Sequence, residues 1–212
     1  MPGCCKWCGR GSSGAASAQL THTVAIADET LEEAYRLYFG RLVGWLFRYS
    51  GDLQLAEDAV ASAFASAVTS WRASGVPNSP EAWLRVTARN AAVSALRAAS
   101  RTRAVAPETF AELEAEPARV TALDERLGLL FVCAHPAIDS RMHAPLMLQA
   151  VLGVDAARIA SAFLVPPTTM GQRLSRAKAK IRDAGIRYRE PDPVELPGRL
   201  APVLQAVYAA YG

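Results

Sequence analysis

The sequence predicts an all-α protein: two small helical domains joined by an acidic linker, the second ending in a helix-turn-helix. Three observations predict it. Apolar residues recur at helical spacing in stretch after stretch, as with Met170, Leu174, Ala177 and Ile181. Alanine-rich segments and few β-branched runs favour helix over strand. Across residues 104–122 the apolar content drops and Glu108, Glu112, Glu114 and Glu116 cluster between Pro107 and Pro117, which reads as a linker. A chain of 212 residues, 51% of them hydrophobic, has enough apolar mass for one large or two small cores. It holds no apolar run long enough to span a membrane.

Taken in order, residues 1–27 are rich in Gly, Ser and Ala without a clear period and read as a disordered tail. A first helix is expected from Asp28 or Thr30, with Leu31, Tyr35, Tyr38, Leu42, Trp45 and Tyr49 on its stripe and Ser50-Gly51 at its end. Asp52 is the expected N-cap of a second helix carrying Leu55, Ala59, Ala63, Phe64, Ala67 and Trp71. Residues 74–80 are a loop by composition, and Pro80 suits the first position of a third helix. That helix carries Trp83, Leu84, Ala91, Ala92 and Leu96 together with Arg85, Arg89 and Arg97. The front domain therefore spans residues 28–103. A back domain spans residues 123–188, with helical pattern at Leu123–Cys133, a break at His135-Pro136, and a further helix from Asp139 to Leu152. Residues 189–212 are a Pro-marked linker and an amphipathic helix with no expected partner in the chain.

Charge is uneven although the net is only +3. Arg85, Arg89, Arg97, Arg101 and Arg103 lie in a segment without an acid. Arg173, Arg176, Lys178, Lys180, Arg182, Arg187 and Arg189 surround a lone acid, Asp183. Two basic segments suggest two contacts with a polyanion. Cys4, Cys5 and Cys8 sit together at the start and Cys133 stands apart, a pattern that fits a reducing, cytoplasmic compartment. No nucleophile–base pattern, phosphate loop or complete metal set is present, so neither an enzyme nor a cofactor is expected. Cys133, His135 and His143 read as packing and capping residues.

The sharpest stretch is Asp155–Ala184. Asp155 caps a short helix bearing Ala156, Ile159, Ala160 and Phe163, and Leu164-Val165-Pro166-Pro167 ends it. The next helix buries Met170, Leu174, Ala177 and Ile181. Thr168, Gln172 and Ser175 point away from the core. Arg173, Arg176 and Lys180 flank the stripe on one side, and Lys178 and Arg182 on the other. Small polar side chains facing base edges, with cations beside them for phosphates, suit a reader of the DNA major groove.

Three segments in this order resemble a bacterial extracytoplasmic-function sigma factor of the sigma-70 class. Leu55-Ala56-Glu57-Asp58-Ala59-Val60 with Ala63-Phe64 resembles the helix that docks on the polymerase clamp. Pro80-Glu81-Ala82-Trp83-Leu84 with Ala88-Arg89-Asn90 resembles the promoter-melting helix. Ile159-Ala160 followed by Thr169-Met170, Arg173-Leu174 and Arg176-Ala177 resembles the reader of the upstream promoter element. A narrower likeness, carried by Phe131, Cys133, His135-Pro136 and Glu195-Leu196-Pro197, is to the subgroup with a large C-terminal extension. By that likeness the extension is lost or cut short at Gly212.

The resemblance implies a sigma factor that brings core RNA polymerase to promoter DNA, with an anti-sigma factor or a C-terminal regulatory domain as a further partner. The alternative is a helix-turn-helix regulator that binds operators without polymerase. The resemblance assigns upstream-element contacts to Thr168, Thr169, Gln172, Arg173, Arg176 and Lys180. It assigns melting to Trp83, Arg85, Arg89, Asn90 and Arg97, and polymerase docking to Leu55, Glu57, Asp58 and Phe64. The family usually has Gln-Glu where this chain has Ala61-Ser62, and commonly has bases and an acid where it has Ala91, Ser94 and Ala95.

Overall fold

The computed structural model describes residues 13–100, 124–189 and 191–211. The expected linker at 104–122, the cysteine cluster, and Arg101 and Arg103 lie outside the described residues. Among the described residues there are helices and one 3-10 turn but no strand, so the expected all-α class holds.

Helix α1 runs Ser13–Ser50. It begins well before the expected start at Asp28 or Thr30, so residues 13–27 of the expected disordered tail are helical. That stretch contains no proline to stop a helix, and its last residue, Ala27, is buried. Gly51 ends α1 with φ +63°, and its N–H donates to Phe47 O at 2.8 Å. Helix α2, Leu53–Ser74, is capped as expected: Asp52 Oδ1 accepts the N–H groups of Gln54 and Leu55. Helix α3, Pro80–Ser100, starts at its proline. These three helices pack around Leu46, Phe47, Leu53, Trp71 and Leu84, all fully buried. Tyr35, Phe39 and Phe64 stack nearby, with ring centroids of Tyr35 and Phe64 5.0 Å apart.

The second half contains α4, Glu125–Cys133, a 3-10 turn at Ser140–Met142, α5, His143–Ala150, α6, Ala156–Ala162, α7, Pro167–Asp183, and α8, Leu196–Tyr211. Leu129, Leu146, Met147, Ile159, Met170 and Leu174 form its centre. His135 Nδ1 accepts the Ala137 N–H, and the buried His143 ring bonds Ile138 O, so both histidines serve packing and capping. Burial pushes the Cys133 thiol up, far from the thiolate.

Helix α8 is not without a partner, which corrects the sequence reading. It lies on α5 and α4 and buries Val203 and Ala206. The buried Arg199 pairs with Glu195 at 3.0 Å. The inward face is therefore Arg199, Val203 and Ala206, whereas Leu200, Leu204 and Val207 face outward.

The two halves share one continuous core. Their approach depends on small residues one helical turn apart in α1. A side-chain carbon at Gly40 would collide with the Val151 carbonyl, and one at Gly44 would lie 2.6 Å from the Glu125 carbonyl. Around this seam Tyr35 donates to Gly153 O at 2.9 Å, and Arg48 pairs with Glu125 at 3.0 Å. Arg48 also lies over the Tyr188 ring, 4.6 Å from its centroid. Burial, with the nearby Glu125 carboxylate, pushes the Tyr188 phenol up to about 12.

Candidate nucleic-acid interface

The turn before α7 is set by local chemistry. Asp155 caps α6 by accepting the N–H groups of Ala157 and Arg158. Leu164 leaves the helix in the left-handed region, φ 53°, and the Val165 N–H returns to Ala160 O at 3.0 Å. A leucine there carries strain that glycine would not, and its side chain stands 93% exposed at the tip of the turn. Pro167 then opens α7 at a position where a missing N–H costs nothing.

The heptad-like stripe of α7 goes inward as expected: Met170, Leu174, Ala177 and Ile181 are buried. Thr168, Gln172, Arg173, Arg176 and Lys180 are exposed, and Thr169 is half-buried. Arg173, Arg176 and Lys180 line a cleft of about 370 Å³ together with Arg141 from the 3-10 turn. Arg141 was not singled out from the sequence. The signal was present in Asp139, whose carboxylate caps the turn by accepting the Arg141 N–H and so fixes where that arginine emerges. Lys178 departs from the sequence reading. It does not flank α7 as a cation open to solvent. It is 5% exposed, ion-paired with Glu57 of α2, and donates to Gln54 Oε1 at 3.2 Å.

On α3, Arg89, Asn90 and Arg97 share a second cleft of about 370 Å³, closed by Val93 and Ser94. Arg85 lies apart from it, its guanidinium 4.4 Å from the Trp45 ring centroid in a cation–π contact. The Trp83 ring is half-buried and edge-on to Trp71, with centroids 5.7 Å apart. The structure thus brings together three of the expected melting residues, while Trp83 and Arg85 are engaged in packing.

The α2 residues divide in a similar way. Asp58 is exposed and accepts from Gln54 Nε2 at 2.8 Å. Leu55 is half-buried. Phe64 is buried under Tyr35, and Glu57 is buried against Lys178. Burial lifts the Glu57 carboxyl above its ordinary range, and Lys178 offsets that only in part. Ala61 and Ser62 are exposed on the same helix.

The front three helices coincide with a known family. Residues 34–102 match Sigma-70 region 2. The match identifies a Sigma-70 region 2 domain in the front half of the chain. It runs from within α1 to just past α3 and so takes in both α2 and the Arg89 cleft, but it does not reach α7. An uncharacterized protein of Rhizobium meliloti (strain 1021) is 37% identical over 177 residues, covering 80% of this chain and 42% of that protein. The chain thus spans less than half the length of this relative. No solved structure matches the chain. Among the described residues, no helix is long and apolar enough to cross a membrane.

Proposed function

We propose that the chain acts as a sigma factor of the extracytoplasmic-function type, binding core RNA polymerase through α2 and promoter DNA through α3 and α7. The observation that carries this reading is the region 2 match over residues 34–102 together with a second, separate basic face on α7. Asp58 and Leu55 offer the exposed part of the docking edge, with Glu57 and Phe64 behind them. Arg89, Asn90 and Arg97 suit the displaced strand of a melted promoter, because one cleft presents two cations and an amide side by side. Arg173, Arg176, Lys180 and Arg141 suit phosphates, and Thr168, Thr169 and Gln172 suit base edges. An anti-sigma factor or a C-terminal regulatory domain remains a candidate partner of the same surfaces.

The test is titration of the purified chain with core RNA polymerase in the absence of DNA. A complex is expected. Tight DNA binding without any such complex would favour an operator-binding regulator instead. For Gln172→Ala, the expected result is altered preference among upstream sequences, with about 1–3 kcal/mol of discrimination lost at one base pair. A uniform loss across all sequences would remove the base-reading role.

A further inference from the structure

We propose that Leu164, at the tip of the turn between α6 and α7, is a specificity-determining residue that reads the 5-methyl group of a thymine in the upstream promoter element. This rests on the reading that α7 binds promoter DNA. Leu164 combines two unfavourable features. Its backbone lies in the left-handed region at φ 53°, the one non-glycine residue with a positive φ among the described residues. Its side chain stands almost wholly in solvent, and Phe163 beside it is 40% exposed. Glycine would relieve both costs, since it adopts this conformation freely and leaves no apolar side chain in water. A side chain so exposed offsets neither cost within the chain, which points to a contact made outside it.

The turn holds this side chain firmly, next to the proposed reading helix. Val165 packs against the core, and its N–H returns to Ala160 O at 3.0 Å. Pro166 and Pro167 fix the next two φ angles. The backbone is thus ordered before DNA arrives, so little backbone entropy opposes the contact. Pro167 is already the first residue of α7, and the exposed Thr168 follows it. A helix that enters the major groove by its N-terminal residues brings the preceding turn to the same groove. The surroundings suit a polyanion: from Ala156 to Arg182 the chain has six cations and no acid, the cations being Arg158, Arg173, Arg176, Lys178, Lys180 and Arg182. On the base edges of the major groove the thymine methyl is the apolar group that side chains read. Thr168, Thr169 and Gln172 offer hydrogen bonds, which a methyl group cannot take. Leu164 supplies the apolar surface that those residues lack.

The test uses the full-length chain with core RNA polymerase on the promoter duplex that yields most transcript in a library. Each upstream thymine is replaced in turn by deoxyuridine, which lacks only the methyl group. For the wild type, at least one replacement should weaken binding by about fourfold, the equivalent of one buried methyl-sized group. Leu164→Gly and Leu164→Asn should bind the thymine and deoxyuridine duplexes equally, at about the wild-type affinity for the deoxyuridine duplex. Glycine and asparagine both tolerate the left-handed backbone, so urea unfolding should place both midpoints at or above the wild type. That result separates a lost contact from a lost fold. A wild type insensitive to every replacement would overturn the proposal, as would variants that keep its discrimination. Weaker capture of core polymerase with thymine discrimination intact would put the side chain against protein and overturn it as well. Replacing Arg173 and Arg176 with alanine is the control. If that change weakens binding and no thymine replacement matters, the Leu164 assignment alone fails. If neither changes binding, the reading of α7 as a DNA face fails with it.

Discussion

Trp71→Ala is expected to destabilise the folded chain by about 3–5 kcal/mol, the range for deleting a large aromatic from a core. Trp71 is 1% exposed at the end of α2, and its ring meets the edge of Trp83 from α3. It joins the two helices that carry the proposed docking and melting residues. Truncation removes its apolar burial, the aromatic contact with Trp83, and the packing on both sides of a large void. Domains of this size have about 5–15 kcal/mol of total stability, so the loss is a large part of the whole. Urea unfolding followed by circular dichroism reads it as a lower midpoint with a similar slope. A shift under about 1 kcal/mol would mean that the site collapses around alanine, contrary to the close packing described here. Trp83→Ala, at a half-buried position, should cost less.

Replacing Arg173 and Arg176 together with alanine should have the largest effect on DNA binding. Both side chains are exposed on α7 and converge with Lys180 and Arg141 on one cleft. Each phosphate neutralised releases condensed counterion and contributes about 0.9 to the log–log dependence of affinity on salt. The double substitution should therefore flatten that slope by about 1.8 and weaken binding to all promoters by a similar factor. The slope is the discriminating quantity. A loss of affinity at unchanged slope would mean that the arginines act through folding or base contact and not on phosphates. Arg141→Ala should lower the slope in the same direction by about half as much, because it adds one contact to the same cleft.

Much of the fold was legible because its signals are local. Asp52, Asp155, Pro80 and Pro167 stand where caps and helix starts require them, and the α7 stripe of Met170, Leu174, Ala177 and Ile181 is buried as its spacing demands. What the sequence did not disclose is which of two possible faces meets another part of the chain. Lys178 sits beside a basic run and reads as one more exposed cation. Only the packing of α7 on α2 supplies Glu57, which is distant in sequence. The same applies to α8, whose inward face includes Arg199, a residue that apolar periodicity passes over. The α1 start is hidden in the sequence because small residues without a stripe give no helical period, although nothing in residues 13–27 terminates a helix except the weak propensity of Gly14. Arg85 and Trp83 were visible as candidates, but their engagement with Trp45 and Trp71 depends on tertiary contacts between helices.

The central claim is that this chain directs core RNA polymerase to promoters. Run-off transcription with purified core polymerase on a promoter library tests it most directly. Transcripts are expected from a subset of templates sharing an upstream sequence. Transcription no greater than that of core polymerase alone across the whole library would contradict it.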